Sequence, residues 1–249
     1  MGFQSYSFLV NGMRVEARYR LETVQEVFLP LLRRLTVLQR EKGKRLIIFL
    51  AAAPGVGKTT LSLFWQALSQ QTEGIEPLQA IGIDGFHHHQ DYLLSHTGVV
   101  YGKEVQLVEV KGAPETYDLD KLRAKLALLC TEREVLWPIY DRQSLHDVVE
   151  DQVKVAGDIV LLEGNWLLLQ DPGWRDLKQF CDLSVYIDAQ ESLLRDRLIQ
   201  RKINGGSTPE QAAAFYERAD GKNVRRVCAH SQPADVTFTL LPDGDYRLK

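Results

Sequence analysis

A doubly wound, mainly parallel α/β sheet is the fold this sequence predicts, on three observations. Leu46-Ile47-Ile48-Phe49-Leu50, Asp158-Ile159-Val160-Leu161-Leu162 and Leu183-Ser184-Val185-Tyr186-Ile187 are short runs with almost no polar face, as strands covered on both sides require. Stretches of helical periodicity alternate with these runs. A glycine-rich turn lies where the first run passes into the first of those helices, the junction at which such sheets bind ligands.

Taken in order, residues 1–44 read as a small appendage. Phe8-Leu9-Val10 and Met13 to Tyr19 flank Asn11-Gly12, a dipeptide suited to the positive φ angles of a two-residue hairpin. Val24, Val27, Phe28, Leu31, Leu32, Leu35 and Leu38 then recur at helical spacing, and Pro30 either kinks that helix or marks its start. Residues 45–249 form the main domain. A helix is expected from Lys58 to about Gln70, and a strand over Leu78 to Ile83. Leu119, Leu122, Leu126 and Leu129 mark a further helix capped by Asp118 or Asp120. Glu191 to Lys202 is helical, and Val236 to Leu241 closes the sheet.

The composition narrows the class of partner. Of 249 residues, 45% are hydrophobic and 25% charged, the balance of a soluble globular protein with a core of its own. The net charge of −3 supplies no basic field for nucleic acid or an anionic membrane, so a small molecule is the expected partner. Cys130, Cys181 and Cys228 match neither a disulfide framework nor a metal motif and read as buried thiols in a reducing compartment. No signal-peptide core or bilayer-length run is present, so a cytoplasmic location is expected.

Three motifs carry chemistry. Ala52-Ala53-Pro54-Gly55-Val56-Gly57-Lys58-Thr59, followed by Thr60, is the phosphate loop G-x-x-x-x-G-K-[ST] with Ala52 in place of the first glycine. Gly55 and Gly57 free the backbone N–H groups to turn inward, and the following helix adds partial positive charge beneath the phosphates. Lys58 reaches toward the β- and γ-phosphates, and the Thr59 hydroxyl is placed to ligate Mg²⁺. Asp84-Gly85-Phe86-His87 ends the second strand, where Asp84 can accept a proton from a hydroxyl or hold Mg²⁺ through water; a plain turn is the competing explanation. Glu163, at the end of an apolar strand, forms a Walker B pattern and can bind Mg²⁺ directly or through water.

These motifs, with Lys111-Gly112-Ala113-Pro114-Glu115-Thr116-Tyr117-Asp118, Pro138-Ile139-Tyr140-Asp141 and Glu163-Gly164-Asn165, stand in the order of one family. From Arg45 to Leu241 the chain resembles the phosphoribulokinase, uridine kinase and bacterial-type pantothenate kinase group. Within it, the pantothenate-kinase-like branch, some of whose members are described as fructose-transport-associated kinases, is the most similar. The resemblance implies a P-loop kinase fold using ATP and Mg²⁺, with Asp84 as catalytic base, Glu163 as the Walker B acid and Tyr140 lining an acceptor pocket. It also implies a lid over about residues 195–220, whose Arg197 and Arg201, four apart, neutralise transition-state charge; Arg195 is a weaker member, and a solvated charged face is the alternative. Gly205-Gly206 is its expected hinge, and Thr208-Pro209-Glu210-Gln211 opens its next helix with a capping box.

Departures from the family pattern bear on the acceptor. Pantothenate kinases usually carry Ser-His after the Pro-x-Tyr segment, and uridine kinases an aromatic; this chain has Asp141-Arg142. Arg142 suits an anionic or polyhydroxyl acceptor, with an ion pair to Asp141 or Asp147 as an equal alternative. His87 is able to contact the acceptor, whereas His88 and His89 read as exposed loop residues and the three together make no metal site. Asn165 is placed to face the pocket; Trp166 reads as core, and Asn223, Arg225 and Arg226 are weak candidates for the nucleotide side. The expected activity is transfer of the γ-phosphate of ATP to a sugar-like, pantothenate-like or nucleoside hydroxyl. A nucleotide-binding regulatory module with weak ATPase activity is the alternative, and the appendage is able to support a homodimer.

Overall fold

In the computed structural model, which describes residues 2–10, 13–141 and 147–249, the chain opens with an antiparallel pair, β1 (Phe3–Val10) and β2 (Met13–Arg20). The expected Asn11-Gly12 turn lies outside the described residues. A helical segment follows in three pieces: one α-turn, α1 (Leu21–Thr23), a π-turn over Val24–Phe28, and α2 (Leu29–Lys42). Pro30 has no N–H to give the Glu26 carbonyl, and its ring crowds that oxygen. The wider π-turn ahead of it takes up the misfit, so the segment continues through Pro30.

The large sheet then builds outward from β3 (Leu46–Ala52), every residue of which is buried. After it come α3 (Lys58–Gln71), β4 (Leu78–Gly82), α4 (Gln90–Ser95), and a small hairpin of β5 (Thr97–Val100) and β6 (Lys103–Gln106). Next are α5 (Leu119–Thr131) and a longer hairpin of β7 (Val135–Asp141) and β8 (Asp147–Val155). The chain finishes with β9 (Ile159–Gly164), β10 (Leu183–Asp188), α6 (Glu191–Asn204), α7 (Pro209–Phe215), α8 (Gly221–His230), β11 (Val236–Leu240) and β12 (Tyr246–Leu248).

The six-stranded sheet has the order β12-β11-β10-β3-β9-β4, parallel throughout except for β12. The sheet is therefore closed not by Val236 to Leu241, as the sequence suggests, but by the three-residue antiparallel β12 beyond it. So short a strand has too few residues to show a period. Helix caps follow the sequence closely. Asp118 accepts from the Lys121 N–H at 2.9 Å, and Thr208 and Gln211 form a complete capping box.

An aromatic cluster fastens the N-terminal segment to the sheet. Tyr6 and Tyr19 each approach Phe64 of α3 with ring centroids 4.5 Å apart, while Phe28 lies against Trp65 at 5.6 Å. Each such pair contributes about 0.5–1.5 kcal/mol beyond its burial. At the other end of the chain, Thr23 Oγ1 donates to the fully buried Asp245 at 2.7 Å, and Arg20 pairs with Asp243.

Asp235 ties β10 to β11 where both strands begin. Its carboxylate accepts from the N–H and hydroxyl of the buried Ser184, at 2.8 and 2.6 Å. Burial raises this carboxyl, but the Ser184 hydrogen bonds outweigh it and leave the pKa below the ordinary value. A depressed folded-state pKa stabilises the fold above the unfolded pKa, and that stabilisation disappears as pH falls through the folded value. Asp235→Ala is expected to lower unfolding free energy by about 1 kcal/mol at pH 7, the small end of the range because the carboxylate is largely exposed. Denaturant titrations should show the difference from wild type shrinking below about pH 4.

Candidate active site

The carboxyl ends of β4, β3 and β9 meet at one place. The register sets Ala51 of β3 beside Gly164, and Gly82 of β4 beside Glu163, so the turns after β3 and β4 flank the end of β9. The turn after β3 is the phosphate loop. Gly55 and Gly57 hold φ of 89° and 94°, a left-handed conformation that side chains rarely adopt, and α3 begins directly after. Thr59 Oγ1 donates to Glu163 Oε1 at 2.7 Å, and the buried Lys58 ammonium donates to Asn165 Oδ1 at 2.5 Å. The loop thus faces the strand-end carboxylate and amide predicted to work with it.

Asp84 stands one residue past Ile83, whose N–H bonds to the Glu163 carbonyl at 3.0 Å, in a single 3₁₀ turn over Asp84–Phe86. Tyr117 Oη lies 3.5 Å from Asp84 Oδ1. Gly85 sets this turn hard against β7: a Cβ there would lie 2.2 Å from the Pro138 carbonyl oxygen, so no other residue fits without moving backbone. The Trp137 indole N–H donates to the Gly82 carbonyl at 2.9 Å and pins the same hairpin to β4.

Over Asp84 lies a wall of aromatic and basic groups. His87 stacks on Tyr117 at 3.8 Å and meets Tyr140 edge-on at 5.9 Å, with its Nδ1 3.2 Å from the Thr116 carbonyl. Lys111 sits 4.7 Å above the Tyr140 ring and donates to Gln90 at 2.7 Å. His89 is exposed as expected, but His88 is half-buried, stacked on Tyr92 at 4.2 Å, and burial lowers its pKa. Arg142 lies outside the described residues.

The predicted lid residues separate. Arg197 turns toward the phosphate loop: a Cβ on Gly57 would lie 3.5 Å from its Nη2. Arg201 is exposed; burial holds the Asp220 carboxyl above its ordinary value, although the charges of Arg201 and Lys202 pull it down. Arg195 pairs with Glu217 at 3.6 Å on the surface. On the β11–β12 side of the loop is a cavity of about 210 Å³, lined among others by Ala17, Tyr19, Gly57, Thr60, Arg197 and Tyr246.

Two features escaped the sequence. Tyr246 donates to the Val56 carbonyl of the phosphate loop at 2.9 Å; the Asp243-Gly244 turn ahead of it is the signal that could have revealed its strand. Asn223 and Arg226 meet no part of the phosphate loop in their described contacts. Tyr101, its hydroxyl pushed up to about 12 by burial and so a donor at neutral pH, bonds to Asn223. Arg226 pairs with Glu115 and Asp171 and lies 6.0 Å from the buried Trp166 ring. These contacts join α8 to the Lys111–Asp118 segment.

Chemically, the loop can cradle phosphates, and Asp84 can take a proton from a hydroxyl seated before it. The donor set also fits a magnesium-like cation. Such ions are held by one or two carboxylates together with phosphate oxygens and water rather than by a protein cage. Thr59 and Glu163 supply that minimum, and no cluster of three metal-binding side chains occurs among the described residues.

Comparison with known proteins gives a consistent picture. The profile of the Phosphoribulokinase / Uridine kinase family matches residues 47–247. The Escherichia coli (strain K12) protein YggC, described as uncharacterized, is 44% identical over 95% of this chain and 96% of its own. A pantothenate kinase from Escherichia coli O1:K1 / APEC is 32% identical over 80% of this chain and 68% of its own. A solved structure from Silicibacter sp. TM1040, provisionally described as a fructose transport system kinase, superposes with a TM-score of 0.73 at 30% identity. It covers 84% of this chain and 98% of that one.

Proposed function

The chain belongs to the phosphoribulokinase and uridine kinase family, and from that premise we propose that it transfers the γ-phosphate of ATP to a hydroxyl of a small polar metabolite. One observation carries the reading: Asp84, Glu163, Thr59 and Lys58 converge at the ends of three neighbouring strands, with the phosphate loop on one side and an aromatic–basic wall on the other. The acceptor oxygen attacks the γ-phosphorus and gives its proton to Asp84, while the bond from phosphorus to the β,γ-bridging oxygen breaks and ADP departs. Lys58 and Arg197 offset charge on the transferring group. Thr59 and Glu163 would hold Mg²⁺, which neutralises phosphate charge when bound.

His87, Tyr117, Tyr140 and Lys111 would line the acceptor side, with Asn165 at its border with the loop. An ammonium and several aromatic faces suit a polyol or an acid, so sugar-like acceptors come first, pantothenate-like acids second and nucleosides third. Two of the similar proteins, described as a fructose transport system kinase and a pantothenate kinase, fall in the first two classes. The thiols expected to be buried are not: Cys130 and Cys228 are exposed and Cys181 is half-buried; a cytoplasmic setting is proposed on their number and spacing.

A coupled ADP-release screen of the purified protein against sugars, hydroxy acids and nucleosides tests this. At least one compound should raise ADP release well above the basal rate. ATP binding with no stimulation by any compound would instead favour a regulatory nucleotide-binding module.

A further inference from the structure

The N-terminal strand pair lies outside the segment that matches the family, yet it borders the phosphate loop. Residues 47–247 carry the match; β2 ends at Arg20. Even so, Ala17 and Tyr19 of β2 share a cavity of about 210 Å³ with Gly57 and Thr60 of the loop and with Arg197 of α6. That volume is below the roughly 300–1,000 Å³ of a pocket for a whole drug-sized ligand and suits one planar fragment of a larger molecule.

The direction in which a triphosphate crosses the loop identifies the fragment. Groups suited to the reacting end, Asp84, Glu163 and Asn165, lie beyond β4 and β9, on one side of central β3. The cavity lies on the other side, among residues that follow β10 and β11. A chain of phosphates seated on the loop with its last phosphate toward Asp84 therefore directs its other end toward Thr60 and the cavity. We infer that the β2 strand forms one wall of the pocket for the base and ribose of the nucleoside triphosphate; this rests on the reading of the chain as an ATP-using kinase.

The wall is built for such a role. Strand alternation turns Ala17 and Tyr19 inward, both buried, while Glu16 and Arg18 are exposed. Tyr19 is held by Phe64 at 4.5 Å and lies 6.0 Å from Tyr246, which itself bonds to the Val56 carbonyl. Hairpin, C-terminal turn and phosphate loop are thus one packed unit, and Arg20 with Asp243 fastens the rim. A small side chain at position 17 leaves the space open. Aromatic rings near a guanidinium suit a flat π-system.

Two variants that fill the cavity test the inference: Ala17→Leu, and Val15→Trp at a half-buried place where folding is less at risk. Each is compared with wild type by titration calorimetry with ATP and with inorganic tripolyphosphate, and by thermal unfolding. ATP affinity is expected to fall about tenfold in both, a loss of about 1.4 kcal/mol, because the added side chain takes the space of the base. Tripolyphosphate, having no base, should bind as before. If the folded variants bind ATP like wild type, or lose ATP and tripolyphosphate equally, the hairpin is not a base-pocket wall. If wild-type protein binds neither ligand, it is the kinase reading itself that falls.

Discussion

Replacing Asp84 by asparagine is expected to lower kcat on the identified acceptor by about 10²–10⁴-fold, the usual contribution of a positioned proton acceptor. The amide keeps the size of the carboxylate and still accepts from Tyr117, whose hydroxyl lies 3.5 Å away, so the turn at Asp84–Phe86 should persist. What it loses is the ability to take up a proton. Because that event belongs to the transition state, kcat and kcat/KM for the acceptor should fall together, with KM for ATP nearly unchanged. The same measurement separates two roles for the residue. A base leaves the Mg²⁺ dependence of the rate as it was, whereas a carboxylate holding Mg²⁺ through water would move it to higher concentration. Full turnover in Asp84→Asn would remove the residue from the chemistry altogether.

Lys58→Ala should be nearly as damaging, and for a different reason. Lys58 is only 8% exposed, so its charge acts where solvent screens it little. Loss of one preorganised donor of this kind costs about 10²–10³-fold in rate, and here binding of the triphosphate should weaken too. Asn165, which accepts from Lys58 at 2.5 Å, positions the ammonium without supplying charge, so Asn165→Ala is expected to have the smaller effect. Steady-state kinetics for both variants, with ATP titrations alongside, check the ordering. Normal ATP binding and turnover in Lys58→Ala would mean that phosphates do not sit on this loop.

Much of this arrangement could be read from the chain because it rests on local rules. A left-handed backbone demands glycine, and Gly55 and Gly57 announce it. Buried parallel strands show as unbroken apolar runs, and carboxylates at their ends stand out against them, as Glu163 does in the register with Gly82. What could not be read depends on non-local contact. The β7–β8 hairpin hides behind Pro138, a residue that argues against a strand; it is tolerated because the register shifts at that point, between Trp137 and Ile139. Arg197 and Arg201 share a spacing but not a setting, since one lies beside the phosphate loop and the other is exposed, its charge acting on half-buried Asp220. The part played by β2 was equally out of reach, because its neighbours in space are Tyr246 and Gly57, far along the sequence.

The contact between Gly85 and Pro138 has a bearing on how such an enzyme could be retargeted. Asp84 adjoins one side of that contact and Tyr140 is two residues from the other, with no room between the backbones for even a methyl group. The proposed proton acceptor and the proposed acceptor wall are therefore geared together. Remodelling the wall to admit a bulkier compound would drag Asp84 with it, so gains in breadth of choice would be accompanied by slower turnover. Retargeting is gentler at Lys111, which reaches the same space from a segment that does not press on Gly85.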